Sequence, residues 1–182
     1  KTHGTSPFQC VEDGKSAVRW IRQNAERLGV DPHKIAAGGG SAGGHVATAT
    51  ATVSGLDPNS ESPVSSRPNA LVLFNPVYDN GPDGYGHERV KDRYLEISPI
   101  HNIGKGMPPA IVFLGTKDKL IPVKTGKEFK AKMEKIGSRS ELFLYQDQPH
   151  GFFNLNKSGG KYYRETVFEM DRFLKSLVYF VD

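Results

Sequence analysis

Apolar positions recur at spacings of three and four along residues 10–28. Cys10, Gly14, Ala17, Val18, Ile21, Ala25 and Leu28 form one stripe there, which predicts a helix. Gly29 stands where a helix stops, and Asp31-Pro32 opposes its continuation. Residues 34–38 read as a short buried strand running into a glycine cluster, and the small residues of 42–53 predict a helix packed closely on a sheet. Short apolar runs at 70–74, 110–114 and 141–145 predict three more strands. Helical spacing returns over 123–136 and over about 162–178, the latter with Val167, Met170, Phe173, Leu174 and Leu177 on one side. Residues 57–69 are polar and rich in Pro and Ser, a surface loop. Residues 78–109 keep no period, and a connection of that length in a compact domain usually covers a site. Helices alternating with short apolar strands predict an α/β fold with a mostly parallel sheet, in one domain spanning 1–182 with 78–109 as a small cap-like connection.

Composition removes several classes of function. With 37% hydrophobic and 24% charged residues, the 182-residue chain is neither disordered nor fibrous. No apolar run approaches the roughly 18 residues that a membrane span needs. The net charge of +4 owes much to Lys124, Lys127, Lys130, Lys132 and Lys135 on one predicted helix. Only Phe129 accompanies them, whereas a nucleic-acid surface needs interleaved aromatics; they read as a solvated face, and no nucleic-acid partner is expected. The single Cys10 excludes an internal disulfide and a multi-cysteine zinc site, and His87 and His101 lack metal-binding spacing, so no metal is expected.

The chemistry concentrates in Gly39-Gly40-Ser41-Ala42-Gly43, a G-x-S-x-G between a predicted strand and a predicted helix. That is the context of a nucleophile elbow: a sharp turn holds the serine above the sheet, and the next N–H, that of Ala42, faces the oxyanion that forms when Ser41 attacks a carbonyl. A serine needs a base. The candidates are His3, His33, His45, His87, His101 and His150, of which His150 follows the last strand, while His45 rides one turn into the elbow helix and is expected to pack beneath the site. The orienting acid belongs after the intervening strand, which selects Asp118, with Asp79 as its competitor. The same glycines also fit G-x-G-x-x-G, but Asp57, at nearly the spacing for a ribose-binding acid, falls in a loop with no strand before it.

Together, Asp31-Pro32, Gly39-Gly40-Ser41-Ala42-Gly43-Gly44-His45, Asn75-Pro76, Asp118-Lys119-Leu120-Ile121-Pro122 and His150-Gly151-Phe152 resemble the catalytic half of an α/β-hydrolase esterase. They are most similar to the bacterial esterase/lipase group related to hormone-sensitive lipase. The resemblance implies a carboxylic ester hydrolase for short acyl or acetyl groups that needs no cofactor. Ser41 would be its nucleophile, His150 its base, Asp118 its acid and Ala42 an oxyanion-hole donor. A prolyl-oligopeptidase-like serine peptidase shares the order Ser, Asp, His, and an inert hydrolase-fold fragment is the non-enzymatic alternative. Only residues 1–9 precede the first predicted helix, so the resemblance also implies a C-terminal portion lacking the family's N-terminal strands and second oxyanion donor. The elbow strand is then expected at a sheet edge, open to homodimerisation or to pairing with the missing half. The expected partner in catalysis is a small-molecule ester.

Overall fold

The computed structural model describes residues 4–180. Helix α1 (Pro7–Gln23) is capped by the Ser6 hydroxyl, which accepts from the Gln9 N–H, and has Pro at its first position. It begins three residues before the predicted stripe, because a cap and a proline set a helix start that apolar spacing alone does not reveal. The short α2 (Ala25–Leu28) ends on Gly29 at φ 66°, the left-handed stop read from the sequence.

Four strands follow: β1 (Ala36–Gly40), β2 (Ala70–Phe74), β3 (Ala110–Gly115) and β4 (Ser140–Tyr145). They form one parallel sheet in the order β1-β2-β3-β4. β1 starts and ends two residues later than its apolar run suggests. Its register against β2, from Ala36 opposite Ala70 to Gly40 opposite Phe74, draws Gly39 and Gly40 into the ladder. Among the described residues β1 has a strand on one side only, as the resemblance implied. β2 and β3 are buried almost throughout, the signature of parallel strands covered on both faces.

Alternation along these strands divides the core. Leu71, Leu73, Ala110 and Val112 face α3 (Ala42–Thr52) and α5 (Val123–Lys135), meeting Ala47, Ala51, Phe129 and Met133. Ala70, Val72, Ile111 and Phe113 point the other way, onto Phe173 and Leu174 of α6 (Lys161–Ser176). α3 lies between the sheet and α1, which explains its small residues. Buried Thr48, Thr50 and Thr52 return their hydroxyls to the helix's own carbonyls, so no polar group is stranded. Residues 78–109 form a short helix α4 (His87–Val90) and two 3₁₀ turns, and Val90 and Ile97 pack with Val11 of α1 and Ala49 and Val53 of α3.

Asp57 is not a ligand-binding acid here. Arg19 of α1 donates to both of its carboxylate oxygens at 2.6 Å and Ser66 donates at 2.7 Å, tying the 57–69 loop to the first helix.

Candidate active site

In a parallel sheet all the carboxyl ends lie along one edge, where ligand sites form. β1 ends at Gly40, and Ser41 turns the chain into α3 with φ 54° and ψ −118°, a conformation that costs a non-glycine residue about 1–3 kcal/mol. The turn is held from both sides: the Ser41 N–H donates to the Phe74 carbonyl at 2.9 Å, and the Ser41 carbonyl accepts from His45 N at 3.0 Å. The glycines around it have unequal duties. A Cβ on Gly39 would stand 2.6 Å from the Gly43 carbonyl carbon, and one on Gly44 would stand 2.8 Å from Pro76 Cβ; one on Gly43 would meet nothing within 4 Å. Ala42 opens α3, so its N–H is one of the four that no carbonyl of the helix can reach.

β3 delivers Asp118 three residues past its end. The carboxyl is fully buried; Oδ1 accepts from the N–H groups of Leu120 and Ile121 at 2.8 and 2.9 Å, leaving Oδ2 for His150. His150 Nδ1 lies 2.7 Å from that oxygen. A buried carboxylate fully engaged in this way makes Nδ1 the donor and leaves the lone pair on Nε2. The loop that carries His150 follows β4 and is fixed by its neighbours: Gly151 sits at φ 70°, and Phe152 is buried against Phe173 and the Tyr145 ring. The H-G-F sequence is thus an imidazole held on Asp118, a left-handed turn and an anchor.

Asn75 carries more of this site than its sequence position announces. It follows β2 at φ 35°, is buried, and accepts the Gly151 N–H on Oδ1 at 2.8 Å, while its Nδ2 faces His150 Nε2 at 3.4 Å. The one sequence signal is an Asn-Pro at a strand end, since asparagine enters the left-handed region more readily than most residues. Ser41 and His150 are not joined by a hydrogen bond; Asn75, next to both, lies on the intervening strand end.

The remaining candidates are placed elsewhere. His33 is exposed before β1, at the opposite edge of the sheet, and His3 lies outside the described residues. Asp79 Oδ1 accepts the Gly81 N–H and lies 3.9 Å from His101, so this competing acid serves its own loop. His45 is buried beneath the elbow, with Nε2 3.0 Å from Asn80 Oδ1; burial lowers its proton affinity below that of an ordinary imidazole. Among the described residues, no group of three or more His, Cys, Asp or Glu could hold a metal ion.

Residues 2–80 match the BD-FAE family model, and residues 79–174 match that of the dienelactone hydrolase family. Esterase 2 of Thermogutta terrifontis, solved after reaction with tabun, superposes on the whole chain with a TM-score of 0.93 at 41% identity, and the match covers 69% of that enzyme. The chain belongs to the α/β-hydrolase esterases. Among curated relatives of this α/β-hydrolase, an acetylxylan esterase of Xylanibacter ruminicola is 28% identical over 96% of the chain, and the esterase LipC of Mycobacterium tuberculosis is 32% identical over 78% of it. The α/β-hydrolase chain spans 37% and 40% of their respective lengths.

Proposed function

We propose that the chain carries the catalytic residues of a carboxylic ester hydrolase that works through an acyl-enzyme. The observation that carries this reading is the 2.7 Å bond that His150 Nδ1 donates to buried Asp118 at the sheet edge where Ser41 is held at φ 54°. Ser41 Oγ attacks the ester carbonyl as His150 Nε2 takes its proton, and Asp118 stabilises the imidazolium. The oxyanion is met by the Ala42 N–H at the positive end of α3, a donor of a kind worth about 100- to 1000-fold in turnover. The alkoxide leaves with the proton from His150. Water then repeats the sequence on the acyl-enzyme and releases the acid. The steps need no cofactor.

The substrate class is a short-chain ester, acetyl esters of alcohols or sugars among them. The small space of about 60 Å³ that Asn80, Tyr85 and Val90 leave beside Ala42 supports this, and a relative named for acetylxylan points the same way. The testing experiment is intact-protein mass before and after a fluorophosphonate, with Ser41→Ala as the control. One adduct on the wild type and none on the variant is expected. An unmodified wild type, or an adduct that survives the substitution, overturns the assignment.

A further inference from the structure

Beside the elbow the structure holds a small pocket of about 60 Å³ whose walls include Ala42, His45, Val77, Asn80, Tyr85 and Val90. One water needs about 10–15 Å³ by this measure, so the pocket of about 60 Å³ takes roughly four to six atoms of that size, enough for an acetyl or butyryl group. A larger cavity of about 260 Å³ is bordered by Val77 and Tyr85 together with Asp79, Lys119 and Thr125. Val77 and Tyr85 line both spaces. Val77 is buried three residues past the end of β2, whereas Tyr85 belongs to a loop and is 44% exposed. Tyr85 therefore needs something to hold it.

That support is Asn80, whose four hydrogen-bonding groups are all engaged. Its N–H donates to Ser98 Oγ at 3.0 Å, and its carbonyl accepts from His87 Nδ1 at 2.9 Å. Its Nδ2 donates to the Tyr85 carbonyl at 3.0 Å, which leaves Oδ1 to accept from His45 Nε2 at 3.0 Å. Ser98 in turn donates to the Tyr78 carbonyl and accepts from His101 Nδ1. His45 is the member of this network that belongs to the elbow helix, four residues after Ser41. The imidazole thus ties the cap-like connection to the turn that carries the nucleophile.

We propose that the pocket beside Ala42 receives the acyl group, that Tyr85 sets its length limit, and that His45 and Asn80 are positioning residues that hold Tyr85 in place. The inference rests on the esterase reading above and names which part of the chain selects the acyl chain. It predicts that esters of two to four acyl carbons react and that six-carbon esters are rejected. A misfit of one or two methylenes in an apolar pocket is worth roughly 10- to 200-fold.

The experiment measures the burst of p-nitrophenol from p-nitrophenyl acetate, butyrate and hexanoate, beside fluorophosphonate labelling of each variant. The wild type should acylate with acetate and butyrate roughly tenfold or more faster than with hexanoate. Tyr85→Ala, which removes the side chain of a residue common to both spaces, should raise the hexanoate-to-acetate ratio about tenfold. His45→Leu, which removes the donor to Asn80, should shift the ratio the same way, and His45→Gln, which retains a donor near the position of Nε2, should keep the wild-type ratio. A flat wild-type profile overturns the proposal, as does an unchanged ratio in Tyr85→Ala or His45→Leu with labelling intact. Should His45→Leu fail to fold, Tyr85→Ala at its half-exposed position decides alone. Loss of labelling in the wild type would instead overturn the esterase reading on which the proposal stands.

Discussion

Ser41 and Asn75 are each held at positive φ, at the ends of neighbouring strands. Such strain persists only where the surroundings over-determine it, and here hydrogen bonds from β2, α3 and the His150 loop do so. On the proposed mechanism, Asp118→Asn leaves the shape of the site intact but favours the wrong imidazole tautomer. Turnover should fall about 10⁴-fold with little change in KM or melting temperature, which steady-state kinetics and calorimetry would check. Asn75→Ala acts differently, because it strands the buried Gly151 N–H and puts alanine at φ 35°. Denaturant titration should find it less stable by about 1–3 kcal/mol, with kcat lowered as the loop bearing His150 loosens. An Asn75→Ala protein as stable and as active as the wild type would show that the loop is held without Asn75.

At the scale of elements, the elbow depends on backbone meeting backbone. Gly39 in β1 faces Gly43 in α3 so closely that a methyl group forces strand and helix apart, whereas a methyl on Gly43 points into open space. Gly39→Ala should therefore destabilise the fold by more than the 1–3 kcal/mol typical of overpacking and should abolish Ser41 labelling. Gly43→Ala should be neutral or stabilising by up to about 1 kcal/mol, since alanine is the better helix former. Thermal melting of the pair separates the two. The sequence marks both glycines alike as parts of G-x-S-x-G; only the packing of α3 on β1 distinguishes them.

For the molecule as a whole, the 57–69 loop is closed onto α1 by the Arg19–Asp57 pair, with only 6% and 11% of the two side chains exposed. The Arg19 guanidinium, helped by Ser66 and the Asn59 N–H, holds the Asp57 carboxyl far below the usual carboxylate range. A carboxyl depressed in the folded state contributes stability at every pH above its unfolded value of about 3.9, and that contribution is lost as pH falls below it toward the native value. Acid titration of stability should therefore show a component below about pH 4 that Asp57→Asn lacks. At neutral pH the same substitution should cost about 3 kcal/mol, the lower end for removing one partner of a buried ion pair. Equal acid slopes in wild type and variant would contradict this.

Local chemistry determined much of this protein in its sequence alone. Strands and helices followed from apolar spacing, since each must bury a face and few periods allow it. Gly29 as a helix stop, the elbow at Ser41 and the Asp118–Pro122 and His150–Phe152 segments were legible for the same reason: each is a short stretch whose chemistry is local. What tertiary structure decided is how distant segments meet. The pairing of Asp118 with His150, the grip of Asn75 on the Gly151 N–H, the tie from His45 through Asn80 to Tyr85 and the capture of Asp57 by Arg19 join residues from 5 to 76 positions apart. A hydrogen bond between distant side chains leaves no period in the sequence. It arises only once the chain has packed, and for Asn75, Asp118 and His150 the parallel register of β1 to β4 does this by bringing their strand ends to one edge.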